Sequence, residues 1–185
     1  SPRLCLDRAW ALTFTSQTEA AIPYLERAET LLADTTNRNQ SIRSEILGLQ
    51  SFRESMYGHP DLAIQLARQA LAAAPTEHSL LQCSNRLFLA GALAHTGQLE
   101  EALQQYHNAR PFCETCGNLT GLVLLEADFL HDLAIFLYGQ DAARQAQMLL
   151  EQAIARIETS SHRIQPAALF LYVGLGKILL MENRL

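Results

Sequence analysis

Apolar residues recur at three- and four-residue spacing along most of the chain, the period of helices packed on one face. No stretch shows sustained alternation bounded by hairpin turn residues, so no strands are expected. Turn residues divide the pattern into nine predicted helices. The first covers Pro2 to Ser16, and the second starts at Ser16-Gln17-Thr18-Glu19 and fades near Ala33. The polar run Asp34 to Asn39 reads as a connector. The third runs from Gln40 to Tyr57 and stops at Gly58; the fourth opens at Pro60-Asp61 and is closed by Pro75, a normal place for a helix-stopping proline.

The fifth and sixth helices form the most regular hairpin, Leu87 to Ala109, with its turn at Gly97 and the sixth helix ending between Pro111 and Gly117. The seventh covers Leu119 to Tyr138, the eighth holds Ala146, Leu150 and Ala153, and the ninth runs from Pro166 to Glu182. Asn183-Arg184-Leu185 reads as the next turn, so a tenth helix is expected to follow. The ninth helix would then present an uncovered apolar face that invites dimerisation.

Aligned on their turns, the second helices of each hairpin share an alanine at a fixed place: Ala21, Ala63, Ala102 and Ala146, with steps of 42, 39 and 44 positions. A step of that size holds two helices and their connectors. The expected units are 2–34, 40–75, 78–112, 119–158 and a truncated 164–185, together one helical-repeat domain. Small residues at Ala90, Gly91, Ala102 and Ala109 let helices approach closely, and no single hairpin could bury its apolar face alone.

The frame resembles the tetratricopeptide repeat. Gly58, Ala63, Ala67, Ala70 and Pro75 match its turn glycine, packing positions and terminal proline, and Leu89, Ala90, Leu93, Gly97, Ala102, Tyr106 and Ala109 match almost the full pattern. The resemblance implies an all-α, right-handed superhelix of helical hairpins. The standard unit has about 34 residues, and the longer units here, with phrases such as LARQALAAAP and LAGALAHTGQLEEAL, resemble the sensor region of bacterial MalT-like, LuxR-type ATP-dependent transcriptional regulators. That resemblance implies a nucleotide-binding module before the segment and a DNA-binding module after it. The partners it implies are a small-molecule effector or a peptide, and the other domains of the same polypeptide. DNA would be reached only through the absent carboxy-terminal domain.

Composition narrows the alternatives. Hydrophobic residues make up 49% of 185 residues, enough for a sizeable core, and the net charge is −5. No basic footprint for nucleic acid is present, no apolar run is long enough to span a membrane, and no phosphate-loop motif occurs. Four cysteines, Cys5, Cys83, Cys113 and Cys116, make no dense disulfide framework, which points to a reduced, cytoplasmic setting. Cys113 and Cys116 form a lone C-x-x-C, read as two thiols near a helix end, since a structural zinc site needs four ligands.

Stacked hairpins form a curved surface lined on its inner side by first helices. In a tetratricopeptide register the inward, binding-candidate residues are Trp10, Phe14, Phe52, Ser84, His95, Asp128, His131, Tyr138, Phe170 and Lys177, with Glu45 beside them. Glu54 falls where an apolar residue is expected, which raises the alternative of a third helix displaced by one position. Glu126, Asp128, His131 and Asp132 share a helix face and read as a solvated or groove-lining cluster rather than a metal site. No nucleophile, base and orienting group assemble, so the segment reads as non-catalytic, with no cofactor and no metal. The function expected is ligand sensing and protein interaction in a LuxR/MalT-like regulator. The alternative is a generic tetratricopeptide scaffold that binds a partner peptide in another signalling or assembly protein.

Overall fold

The computed structural model describes residues 1–15, 17–33, 39–117 and 168–181, together with 144, 147, 148, 150–152, 154 and 155 between them. Seven helices are delimited there: α1 Pro2–Phe14, α2 Thr18–Ala33, α3 Gln40–Met56, α4 Pro60–Ala73, α5 Ser79–His95, α6 Leu99–Cys116 and α7 Ala168–Met181. Helix α7 corresponds to the ninth predicted helix. The predicted seventh helix lies outside the described residues, and of the eighth only helical pieces within 144–155 are described. No strand occurs among the described residues.

The hairpin turns are built the same way. At the end of α3, Gly58 adopts φ 80°; its N–H donates to the Ser55 carbonyl at 3.2 Å and the His59 N–H to the Glu54 carbonyl at 2.9 Å. At the end of α5, Gly97 adopts φ 76°, with the Gly97 N–H on Ala94 and the Gln98 N–H on Leu93, both at 3.0 Å. This paired closure satisfies the last helix carbonyls and needs a residue that tolerates positive φ. The end of α1 repeats the outer bond, Gln17 N–H to the Leu12 carbonyl at 2.9 Å, so α1 stops at Phe14 rather than Ser16. The side chains recur too: Gln17 Nε2 donates to Thr15 Oγ1 and Gln98 Nε2 to Thr96 Oγ1. In the second and third hairpins the residue that closes the first helix opens the second, because His59 and Gln98 are the N-caps of α4 and α6.

Proline is placed where it costs least in α4, at the first position, with Asp61 in the first turn. In α6 it is not: Pro111 lies inside the helix, which continues to Cys116 and ends at Gly117 with φ 73°.

Helices pack with their chain neighbours: α1 on α2, α3 on α4, α5 on α6, with α2 on α3 and α4 on α5 between hairpins. First helices also pack on one another, α1 on α3 and α3 on α5, whereas α2, α4 and α6 make no such contacts among themselves. First helices therefore form the close-packed inner layer and second helices the splayed outer one, the arrangement of a curved repeat array. Leu6, Ala9, Leu12, Ala21, Leu25, Ala28, Ile46 and Leu49 form one core. A second gathers Ala63, Ala67, Leu89, Leu93 and Ala102 and extends to Leu150, Ile154 and Ile178. Each fully buried leucine contributes about 2 to 3 kcal/mol relative to exposure.

Glu54 is buried at 8% exposure, at the position where the repeat asks for an apolar residue. Helix α3 is not displaced by one position. The carboxylate is accommodated by charge: Arg53 donates to Oε1 at 2.6 Å and His59 Nδ1 to Oε2 at 2.9 Å.

Candidate functional site

The inner layer places three aromatic rings from three first helices side by side. The Phe88 ring of α5 lies 5.3 Å from Phe52 of α3 and 6.1 Å from Trp10 of α1, centroid to centroid, within the range of favourable ring pairs. All three are half-buried. Gly48 borders this cluster. It is buried in α3, and a Cβ there would overlap the Asn85 amide oxygen and touch the Phe88 ring. The bare backbone at Gly48 leaves room for the Asn85 amide next to the Phe88 ring.

A polar network holds one edge of this floor. Trp10 Nε1 donates to Glu45 Oε1 at 2.7 Å, and Arg3 Nη1 donates to Glu45 Oε2 at 2.7 Å. Arg3 also bonds Asp7 at 2.8 Å. Burial works against the Arg3 charge, but its bonds to Asp7 and Glu45 prevail and raise its pKa above the ordinary guanidinium value. The other edge carries His95, exposed at the end of α5, whose Nδ1 is 3.1 Å from Ser55 Oγ. Met56, next to Ser55 in sequence, is exposed.

The sequence-predicted residues fare differently. Trp10 and Phe52 are brought together through Phe88, and His95 stands at the rim. Ser84 is buried at 8% exposure, inside the packing rather than on an open wall. Phe14, Phe170 and Lys177 lie on helices, with their side chains outside the described part. Asp128, His131 and Tyr138, and the acidic cluster around them, fall wholly outside the described residues. Phe88 is the residue the sequence reading missed. It follows Leu87 in the best-kept hairpin, and its ring partners lie on two other helices.

On the outer side, the end of α2, the start of α3 and the end of α4 border an open cleft of about 840 Å³, lined by Leu32, Arg43, Ile46, Leu47 and Gln69 among others. Glu29, the acidic residue of that lining, is tied to Gln50 at 2.6 Å. Among the described residues, no cluster of three or more metal-ligating side chains occurs and no helix is long and apolar enough to cross a membrane.

The cysteines depart from the expectation of four thiols. Cys83, early in α5, is bonded to Cys113, late in α6, with Cα atoms 5.0 Å apart, and both are fully buried. Cys5 and Cys116 are free and partly exposed. The pairing was hidden because the partners stand thirty positions apart and meet only when the hairpin closes. The C-x-x-C spacing drew attention to the wrong pair.

No protein-family model matches the chain, and no curated protein matches it. Solved structures do. The chain is similar to the nearly identical TPR-like repeats of a Podosopora anserina protein described as a kinesin light chain, with a TM-score of 0.69, 18% identity, and coverage of 100% of this chain and 89% of that one. A single-substitution form of those repeats matches with a TM-score of 0.70 and 18% identity, covering 98% and 86%. At this identity the likeness establishes the fold, an all-α superhelix of tetratricopeptide-like hairpins.

Proposed function

We propose that this chain is a non-catalytic interaction scaffold whose inner face docks a peptide segment of a protein partner. The observation that carries the reading is the ring floor of Trp10, Phe52 and Phe88, supplied by three successive inner helices and fixed at one edge by the Trp10–Glu45–Arg3 network. Half-exposed rings offer rigid apolar area at low entropic cost. Ser55 and His95 supply polar groups at the rim for a peptide backbone. TPR-like repeats as a class support the same reading.

Trp10 is the only tryptophan, so its emission reports occupancy of the floor directly. A peptide selected from a random array against the folded chain should change that emission on titration. Phe52→Ala combined with Phe88→Ala should weaken the same peptide at least tenfold while helical circular dichroism is retained. Unchanged affinity in that variant overturns the assignment of the floor.

The narrower reading, an effector-sensing region of a cytoplasmic LuxR/MalT-like regulator, is supported by the long repeat steps of 42, 39 and 44 positions. The complete gene product decides it: a phosphate loop upstream and a LuxR-type helix pair downstream are the expected outcome under that reading.

A further inference from the structure

The three cysteines of the α5–α6 hairpin form a connected set that the docking function does not use. Cys83 and Cys113 close the open end of the hairpin, opposite the Gly97 turn, with both residues fully buried. They sit in a core with Leu87, Ala90, Tyr106 and Ala109, and Cys116 packs against that same core. Cys116 lies one helical turn beyond Cys113, is partly exposed, and its Sγ folds back to within 3.6 Å of the Cys113 carbonyl oxygen. Helix geometry puts Cα atoms three positions apart at about 5 Å, inside the span a disulfide can bridge. Cys113 is therefore bonded to Cys83 across the hairpin and has a second thiol, Cys116, at a bridgeable Cα spacing along its own helix. Side chains three positions apart diverge on a regular helix, so the second bond requires the last turn of α6 to open. That turn ends at Gly117, in the left-handed region with nothing within 4 Å of where a side chain would start.

We propose that Cys83, Cys113 and Cys116 constitute a thiol–disulfide exchange site, with Cys116 as the entry sulfur and a dithiol reductant as its substrate class. The Cys116 thiolate attacks Cys113 Sγ; the Cys113–Cys83 bond breaks and Cys83 leaves as a thiolate that takes up a proton. One sulfur of the dithiol then attacks Cys116 Sγ and releases the Cys113 thiolate. The second sulfur of the dithiol attacks the mixed disulfide, freeing Cys116 and leaving the reductant as its own disulfide. The net change is reduction of Cys83–Cys113 by one dithiol, with Cys116 regenerated. Solvent reaches Cys116 but neither bonded sulfur, so the relay is the route into the bond that leaves the hairpin folded. Because the thiolate is the attacking form, exchange accelerates as pH rises.

The test is reduction of the native full chain by dithiothreitol, quenched at intervals with N-ethylmaleimide and mapped by peptide mass spectrometry. Wild type should lose the Cys83–Cys113 cross-link at least tenfold faster than Cys116→Ser, and Cys5→Ser should match wild type. Early wild-type samples should contain Cys83 alkylated together with an internal Cys113–Cys116 bond. A Cys116→Ser chain that had lost its fold would expose the disulfide and be reduced faster, so slower reduction cannot come from misfolding. Equal rates in wild type and Cys116→Ser overturn the proposal. So does an air-oxidised protein in which Cys83 and Cys113 are both free.

Discussion

The first two hairpins solve one packing problem with different chemistry. Between α1 and α2 the contact is apolar, Leu6, Ala9 and Leu12 against Ala21, Leu25 and Ala28. Between α3 and α4 it is threaded with hydroxyls: Ser44 Oγ donates to the Ala70 carbonyl at 2.9 Å and Ser51 Oγ to the Ala63 carbonyl at 2.8 Å, both buried. The two serines stand seven positions apart on α3, and the two acceptors stand seven apart, in reverse order, on α4. Both bonds thus belong to one antiparallel register. Apolar area stabilises strongly but is indifferent to small slides, whereas a pair of directional bonds two turns apart is satisfied at one setting only. The second hairpin adds defined alignment to its apolar contact, and Asn85 extends that alignment to α5 by donating to Ser44 Oγ at 2.8 Å.

The contrast can be broken at its strongest point first. Leu25→Ala, in the apolar hairpin, should cost about 3 kcal/mol, read as a lowered urea midpoint with an unchanged slope. Gly48→Ala should cost about 2 kcal/mol despite alanine's better helix propensity, because the new Cβ overlaps the buried Asn85 amide. Ser44→Ala should cost about 1.5 kcal/mol, since it removes a bond to Ala70 and leaves the buried Asn85 donor without that acceptor. Ser51→Ala removes one bond and should cost under about 1 kcal/mol. Equal values for the two serines would mean that the link to α5 adds nothing.

The smallest effect is the pH dependence of Glu54. The hydrogen bond from His59, opposed by burial and aided by Arg53, holds its carboxyl below the usual carboxylate range. The unfolded chain then binds this proton at higher pH than the folded one. The stabilisation is present above about pH 4.5 and is lost as pH falls through the lower, folded value. In Glu54→Gln, urea midpoints measured between pH 6 and pH 3.5 should fall less steeply than in wild type.

Much of the scaffold was legible in the sequence because its signals are local. Gly58 and Gly97 mark turns that need positive φ, and Ala63, Ala102 and Ala109 mark points of close approach that accept nothing larger. Glu54 was legible as an anomaly but not as a solution, since one of its two partners, His59, sits at the start of the next helix and reaches it only once the turn has closed. The site was less legible for a related reason. Trp10 and Phe52 follow from repeat register, but Phe88 joins the floor through ring contacts with two other helices that no local pattern marks. Ser84 obeys the same register and is nevertheless buried, because register says which way a residue points and not how closely its neighbours cover it. The Cys83–Cys113 bond joins residues that share no local pattern at all.

The contact of Trp10 with Phe88 has a mechanical consequence. Backbone packing among the described helices α1 to α6 stays within a hairpin or between adjacent hairpins, so flexing is summed from small rotations between adjacent units. Axes of packed helices lie about 8 to 10 Å apart, which leaves α1 and α5 roughly twice that distance from each other with α3 between them. The ring pair at 6.1 Å spans that gap. It acts as a chord across the arc: straightening the superhelix pulls the rings apart, and tightening it presses them together. Curvature of the first two and a half hairpins is thereby coupled to the state of two side chains, and anything seated against those rings would set the bend of the rod as well as occupy it.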